Sequence, residues 1–424
     1  MALIVQKYGG SSVANRERIQ EVARRVYARQ QEGHDLVVVV SAMKGETDRL
    51  IGLTREFTDL PNLREYDSMI STGEQVSTAL LAIAIEALGG KAHSLLAFQI
   101  PIHTDSGYKD ARITRIETAR IKKLLREGQV VVAAGFQGID PHGCITTLGR
   151  GGSDTTAVAV AAALQADLCE IYSDVDGVYT ADPGLVPEAR RLDRVGYEEV
   201  LELASLGAKV IQIRAVEMAM KHQVPVMFRH AFQGGVGTVM TKGDKEMETV
   251  VVSGVTYDKN ECKITVSRVP DRPGVAAALF QPLAEANIAV DMIIQNVSEK
   301  GFADLTFTVR REDLARAKRL TGAAAEELSA AKVETDDSIT KVSIVGMGMR
   351  THAGVASRMF STLSKAGINI QMISTSEIKI SCVIDQKYTE LAVRELHRAF
   401  DLGRKPAGKA MPKPRKAARG KRAG

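Results

Sequence analysis

Nothing in this sequence is spaced to hold zinc or to build a disulfide framework. Its four cysteines, Cys144, Cys169, Cys262 and Cys382, are scattered singly and form no CxxC. No apolar run reaches the ~18 residues of a membrane-spanning helix. The N-terminus lacks a signal-peptide pattern and opens directly into the apolar run Ala2-Leu3-Ile4-Val5. These absences predict a soluble, cytoplasmic chain. Two nucleotide motifs are also missing: there is no GxxxxGK[ST] P-loop and no GxGxxG after a strand. Any phosphate site must therefore be of another type.

Acid is absent from one stretch. Residues 403–424 hold nine Lys/Arg and no Asp or Glu. Without them, 47 basic residues face 51 acidic ones, so the formal net charge of +5 becomes −4 for the body of the chain. A tail of Pro, Gly, Ala, Lys and Arg cannot bury enough apolar surface to fold alone. It reads as a disordered basic extension, and nucleic acid is not an expected partner.

What is present is 424 residues with 45% apolar content, enough for about three domains with substantial cores. In the first half, Leu36–Ser41, Val130–Gly135, Leu168–Ser173 and Val224–Arg229 read as buried strands. Arg16–Gln31, Gly73–Leu88, Thr114–Glu127 and Asp154–Ala166 read as helices between them. Continuous Val-rich strands interleaved with helices predict an open, mainly parallel α/β sheet sandwiched by helices.

The second half repeats itself at a shift of 80 residues: Gly274, Val275 and Ala276 fall on Gly354, Val355 and Ala356, and Ile288, Met292 and Ile293 on Ile368, Met372 and Ile373. Each copy reads strand, Gly-containing turn, amphipathic helix, strand, which predicts two ferredoxin-like βαββαβ modules. The expected units are 1–240, 250–335, 336–402 and the tail 403–424. The first boundary is placed near 234–250, where Gly234-Gly235 and the charged stretch Lys242–Glu248 interrupt the pattern.

Two Gly-rich turns carry the chemistry. One is Lys7-Tyr8-Gly9-Gly10-Ser11-Ser12; the other runs from Thr147 through Gly149-Arg150-Gly151-Gly152-Ser153-Asp154 to Thr156. Each joins an expected strand to an expected helix. Adjacent glycines let backbone N–H groups approach an anion, and a helix start adds its positive end. The first turn adds a lysine and the second an arginine. Two such cradles suggest a phosphate donor and an acidic acceptor held face to face.

These turns, together with Ser71-Thr72-Gly73-Glu74, the run Ser173–Pro183 and the C-terminal repeat, resemble the aspartate kinases with their tandem ACT domains. The resemblance runs from residue 1 to about 402. It implies transfer of the ATP γ-phosphoryl to the side-chain carboxylate of L-aspartate, giving 4-phospho-L-aspartate for lysine, threonine and methionine synthesis. A glutamate or acetylglutamate kinase, or a sensor with an inactive kinase half, is the competing reading.

A carboxylate of pKa about 3.9 is already ionised at neutral pH. It needs charge neutralisation and alignment rather than a general base. Lys7 can neutralise the transferring phosphoryl, and the resemblance implies that Asp154 holds Lys7; otherwise Asp154 is an N-cap. Arg150 can clamp the α-carboxylate of aspartate, Glu74 can meet its ammonium, and Thr47, Gly151, Gly152 and Ser153 can add contacts. Tyr8, Gly9, Gly10, Ser41, Ser173, Asp174, Tyr179, Asp182 and Lys209 fall to the nucleotide with Lys7. Asp174-Val175-Asp176-Gly177 lacks the further oxygen ligands of a calcium loop, so no metal site is assigned and Mg2+ is expected to arrive with ATP. The family often has Arg after Ala-Asp-Pro, where this chain has Gly184.

The resemblance further implies feedback inhibition by lysine with threonine, through Asp271, Asp291 and Gln295 in the first repeat and Val355, Asn369, Ile370 and Glu377 in the second. Tandem ACT modules imply a homodimer or an α2β2 assembly, with Met247 a candidate internal start for a shorter regulatory subunit.

Overall fold

The computed structural model describes residues 1–205, 211–243, 251–298, 301–352 and 354–404. The first part runs β1 (Leu3–Tyr8), α1 (Arg16–Gln31), β2 (Asp35–Val40), α2 (Glu46–Arg55), α3 (Leu63–Ile70), α4 (Thr72–Glu86), β3 (Ala92–Leu95), β4 (Ile102–Thr104) and β5 (Ile113–Ile116). It continues with α5 (Ala119–Arg126), β6 (Val130–Ala134), β7 (Gln137–Ile139), β8 (Ile145–Thr147), α6 (Gly152–Leu164), β9 (Leu168–Ser173), β10 (Arg194–Gly196), α7 (Tyr197–Ser205), α8 (Ile213–His222), β11 (Val226–His230) and β12 (Thr238–Thr241).

Eight strands pair in the order β10-β12-β11-β9-β1-β2-β6-β3, parallel throughout except between β11 and β12. The central strands are covered on both faces, which is why β2 and β6 are unbroken apolar runs rather than alternations. On α1, Ile19, Val22, Ala23 and Val26 form one buried stripe that packs with α4 against one face. Helices α6 and α8 cover the other. Strand β1 lies between β2 and β9, so the connections leave it in opposite directions and a crevice opens beyond its carboxyl end. Successive side chains point to opposite faces there: Lys7 toward α6, Tyr8 into the core under α1.

A small sheet, β5-β4-β7-β8, stands beside the main one. It corrects one expectation, because Thr114–Glu127 is not a single helix. Residues 113–116 form β5, antiparallel to β4, and α5 starts only at Ala119. Ile113, Thr114 and Ile116 are β-branched and find a partner strand, which outweighs the helical pattern downstream. Gly234-Gly235 is also not a boundary. It lies in the turn between β11 and β12 of the main sheet, before Gly237, where a Cβ would sit 2.1 Å from the Phe228 carbonyl oxygen.

The second part runs β13 (Gly254–Asp258), β14 (Glu261–Pro270), α9 (Val275–Glu285), β15 (Val290–Ser298), β16 (Phe302–Arg310), α10 (Leu314–Glu327) and β17 (Lys332–Asp336). Then come β18 (Ile339–Val345), α11 (Val355–Lys365), β19 (Met372–Thr375), β20 (Lys379–Asp385) and α12 (Thr389–Ala399). The 80-residue repeat appears as α9 and α11, capped by Gly274 and Gly354 at the same left-handed φ of 93°. The first module is a complete βαββαβ unit with order β15-β16-β14-β17.

The second module departs from the expected βαββαβ. Its sheet is β13-β18-β20-β19, so its fourth strand comes from residues 254–258, ahead of the first module, rather than from its own C-terminus. The chain after α12 supplies no strand among the described residues, and β13 fills the open edge of β18. Residues 250–335 are therefore not one sheet. This second module packs on the kinase half: Ala181 and Val186 lie in its core. Thr180 Oγ1 meets His397 Nε2 at 3.0 Å, Val255 N–H donates to the Thr180 carbonyl at 2.8 Å, and Arg394 Nε donates to the Leu185 carbonyl at 2.8 Å.

Candidate active site

The two Gly-rich turns converge past the carboxyl end of β1. Gly10 leaves no room for a side chain, since a Cβ there would stand 2.9 Å from the Ala42 carbonyl oxygen. In the second turn Gly151 adopts φ 70° and caps α6, and a Cβ on it would be 2.6 Å from Gln212 Cβ. Ser153 is buried at the start of α6 against Gly135, where an added Cβ would lie 2.7 Å from Ser153 Oγ and 3.0 Å from the Val40 carbonyl oxygen. The segment Val40–Ala42, at the end of β2, is thus the common wall of the site.

Lys7 Nζ and Asp154 Oδ1 meet at 2.6 Å, each side chain about nine-tenths buried. Asp154 is not the cap of α6. It is the third residue of that helix, its N–H bonds the Gly151 carbonyl, and its other carboxylate oxygen accepts the Gln212 backbone N–H at 3.3 Å. The ion pair offsets the cost of burying both charges and aims the ammonium at the first glycine turn: a Cβ on Gly9 would be 3.3 Å from Lys7 Nζ.

Glu74, on the first turn of α4, is 3% exposed. Its Oε1 accepts the Ala42 N–H at 3.0 Å, while Oε2 has no hydrogen-bond partner among the described residues. Burial pushes its carboxyl up to about 7, against the opposing pull of the Ala42 N–H. A buried carboxylate oxygen without a donor is a receptor for a cation. Ser12 Oγ and Thr155 Oγ1, buried beside the two turns, also lack partners. The sequence analysis did not assign them, although both lie inside the quoted motifs.

Arg150 is exposed at the crest of the second turn, with its carbonyl accepting Gln212 Nε2 at 2.6 Å. Thr47 is half-buried on the first turn of α2. Asp67 of α3, also unassigned from sequence, is fully buried and holds the approach to the second turn. It accepts the Thr147 N–H at 2.7 Å, the Thr147 hydroxyl at 2.9 Å and the Lys109 N–H at 2.9 Å.

The residues expected on the nucleotide separate. The Tyr8 ring is fully buried and stacked on Tyr172 at 4.6 Å, so only its backbone faces the crevice. Ser41 sits on the Glu74 side of β1, where its carbonyl accepts Ser77 Oγ at 2.8 Å. Ser173 and the exposed Asp174 sit on the opposite side, at the end of β9. Tyr179 donates to Asp176 at 2.7 Å, and Asp176 also pairs with Arg191 at 2.9 Å. Asp182 accepts the Gly184 N–H at 2.8 Å and the Tyr257 hydroxyl of β13 at 3.0 Å, which fastens this loop to the regulatory half. Lys209, Met247 and the tail from Lys405 lie outside the described residues. Among the described residues no group of three His, Cys, Asp or Glu could hold a metal, and no helix is long and apolar enough to cross a membrane.

A model of the amino acid kinase family matches residues 2–230, and ACT domain models match 264–325 and 342–400. An aspartate kinase of Pseudomonas putida is 55% identical over 403 residues, 95% of this chain and 98% of its own. The chain belongs to the aspartate kinases. The kinase is also similar to E. coli aspartokinase III in complex with lysine and aspartate, at a TM-score of 0.75 and 25% identity over 94% of this chain and 99% of that one. The same enzyme in complex with aspartate and ADP superposes at 0.77, with 24% identity over 94% and 99%.

Of the expected effector residues, Asp271 and Gln295 are exposed on the first ACT module, and Asn369 and Glu377 are exposed on the second. Val355 is buried at the start of α11, and Ile370 is half-buried against the same core. Asp291 is already engaged. Its carboxylate pairs with the buried Lys341 ammonium of β18, which also meets Glu261 at 3.1 Å and so ties the two ACT modules together.

Proposed function

We propose that the kinase uses the Lys7–Asp154 pair and Glu74 as the two poles of its active site in the cytoplasm. The ATP phosphates lie over Gly9 and Gly10 with Lys7 on the transferring phosphoryl. Adenosine extends toward Ser173, Asp174, Tyr179 and Lys209, and Mg2+ is held mainly by phosphate oxygens. L-Aspartate places its ammonium on Glu74 Oε2 and its α-carboxylate on Arg150. Thr47, Ser153, Ser12 and Thr155 supply hydrogen bonds. The β-carboxylate, ionised without help, then attacks along the line set by the two turns.

The observation that carries this reading is the partnerless buried oxygen of Glu74. It shares the Ala42 wall with Gly10, and the Lys7–Asp154 pair points into the same crevice. Lys7→Ala should lower turnover by about 100- to 1000-fold, the usual loss for a preorganised charge acting on the transition state. Near-normal turnover in a folded Lys7→Ala protein would remove Lys7 from the mechanism.

Regulation follows from the ACT pair. Lysine, which E. coli aspartokinase III binds, acts here with threonine, held by Asp271 and Gln295 on one module and by Asn369, Ile370 and Glu377 on the other. The modules pair across subunits in a homodimer or α2β2 assembly.

A further inference from the structure

We infer that Gln212 is a positioning residue for aspartate, acting through the Arg150 peptide; this rests on the assignment of Arg150 to the aspartate α-carboxylate. Gln212 directly precedes α8 and meets the second glycine turn in three ways. Its backbone N–H donates to Asp154 Oδ2 at 3.3 Å. Its side-chain Nε2 donates to the Arg150 carbonyl at 2.6 Å, while Oε1 accepts the Ile213 N–H at 2.7 Å and caps α8. Its Cβ lies against Gly151, where a methyl group would come within 2.6 Å.

The consequence is mechanical. Arg150 is exposed, and no ion pair fixes its guanidinium among the described residues. Its direction is set by its own backbone. That backbone precedes a left-handed glycine, which by itself leaves the peptide free to rotate. The carboxamide of Gln212 pins the Arg150 carbonyl to the rigid start of α8, and α8 packs on α6 in the kinase core. One side chain thereby couples the direction of the substrate arginine to the helix that carries Asp154. A carboxamide is needed because it offers a donor to one carbonyl and an acceptor to one N–H in the same plane.

The alternative role is a plain helix cap. Gln212→Ser separates the two, since serine keeps a capping oxygen at this position but cannot reach the Arg150 carbonyl. Gln212→Met removes both functions. Gln212→Ser should raise the aspartate KM roughly five- to tenfold, the worth of a hydrogen bond to a restrained peptide. The ATP KM should stay within about twofold, and the melting temperature within about two degrees. Gln212→Met should raise the aspartate KM equally and melt lower. In an Arg150→Met background, Gln212→Ser should add little, because its effect passes through Arg150.

An unchanged aspartate KM in Gln212→Ser, with only Gln212→Met melting lower, would leave Gln212 a cap and overturn the proposal. So would equal shifts in both KM values, or a full effect of Gln212→Ser in the Arg150→Met background. If Arg150→Met itself leaves the aspartate KM unmoved, the assignment of Arg150 has failed. That result is separable from a failure of Gln212 alone, in which Arg150→Met raises the aspartate KM and Gln212→Ser does not.

Discussion

Replacing Glu74 by glutamine should make the kinase worse at its reaction and more stable in alkaline solution. The side chain is 3% exposed, and its carboxyl is raised from 4.5 to about 7. Between those values the folded state binds a proton that the unfolded state does not. Stability is therefore greatest below about pH 4.5 and falls as pH rises through about 7, by a total of about 3 kcal/mol. Glutamine removes this dependence. Its Oε1 can still accept the Ala42 N–H, but an amide donor replaces Oε2 and, unpaired, costs about 1–3 kcal/mol. The sign at any one pH depends on that offset, but the slope does not. The melting difference between variant and parent should grow in the variant's favour from about pH 5 to 7 and flatten above.

Activity should move the other way. Without substrate, Glu74 titrates near 7, so kcat/KM for aspartate in the parent should drop about tenfold per unit below that pH. In Glu74→Gln this limb should vanish. The remaining kcat/KM at pH 8 should be lower by about 10- to 150-fold, the value of one charged hydrogen bond. Melts across pH 5 to 9, paired with initial rates at subsaturating aspartate, measure both. A parental kcat/KM that is flat from pH 6 to 8, or a variant with parental kcat/KM at pH 8, would refute the placement of the substrate ammonium on Glu74.

Three further perturbations probe the rest of the site. Arg150→Lys should raise the aspartate KM, because an ammonium cannot reproduce a two-pronged clamp, with the ATP KM nearly constant; deterioration of ATP binding alone would move Arg150 to the nucleotide. Tyr257→Phe cuts the hydroxyl that holds Asp182, so the ATP KM should rise roughly two- to fivefold while the aspartate KM holds, and unchanged ATP kinetics would reduce this contact to packing. Asp271→Ala and Gln295→Ala should relieve inhibition by lysine plus threonine without altering uninhibited rates. Unchanged dose–response curves in both variants would exclude this face of the first ACT module as the effector site.

The sequence by itself determined the parts whose signals are local. Val-rich strands buried on both faces cannot alternate, so β2, β6 and β9 were legible as continuous runs. The stripe on α1 and the repeated helices α9 and α11 follow from periodicity over eleven or more residues. The glycine turns were legible because no other residue fits positions such as Gly10 and Gly151. Short elements gave no such signal, and β5 won its strand conformation only by pairing with β4. Tertiary structure alone decided the rest. Asp154 reads as a cap until Lys7 is seen 2.6 Å away across 147 residues of sequence. Tyr8 reads as a ligand until its ring is found stacked in the core, and Asp291 reads as an effector carboxylate until Lys341 is found on it. The second ACT sheet takes its fourth strand from before the first module because an open strand edge accepts whichever segment can reach it with matching register. Each of these depends on which distant groups meet in space, and adjacent residues carry no record of that.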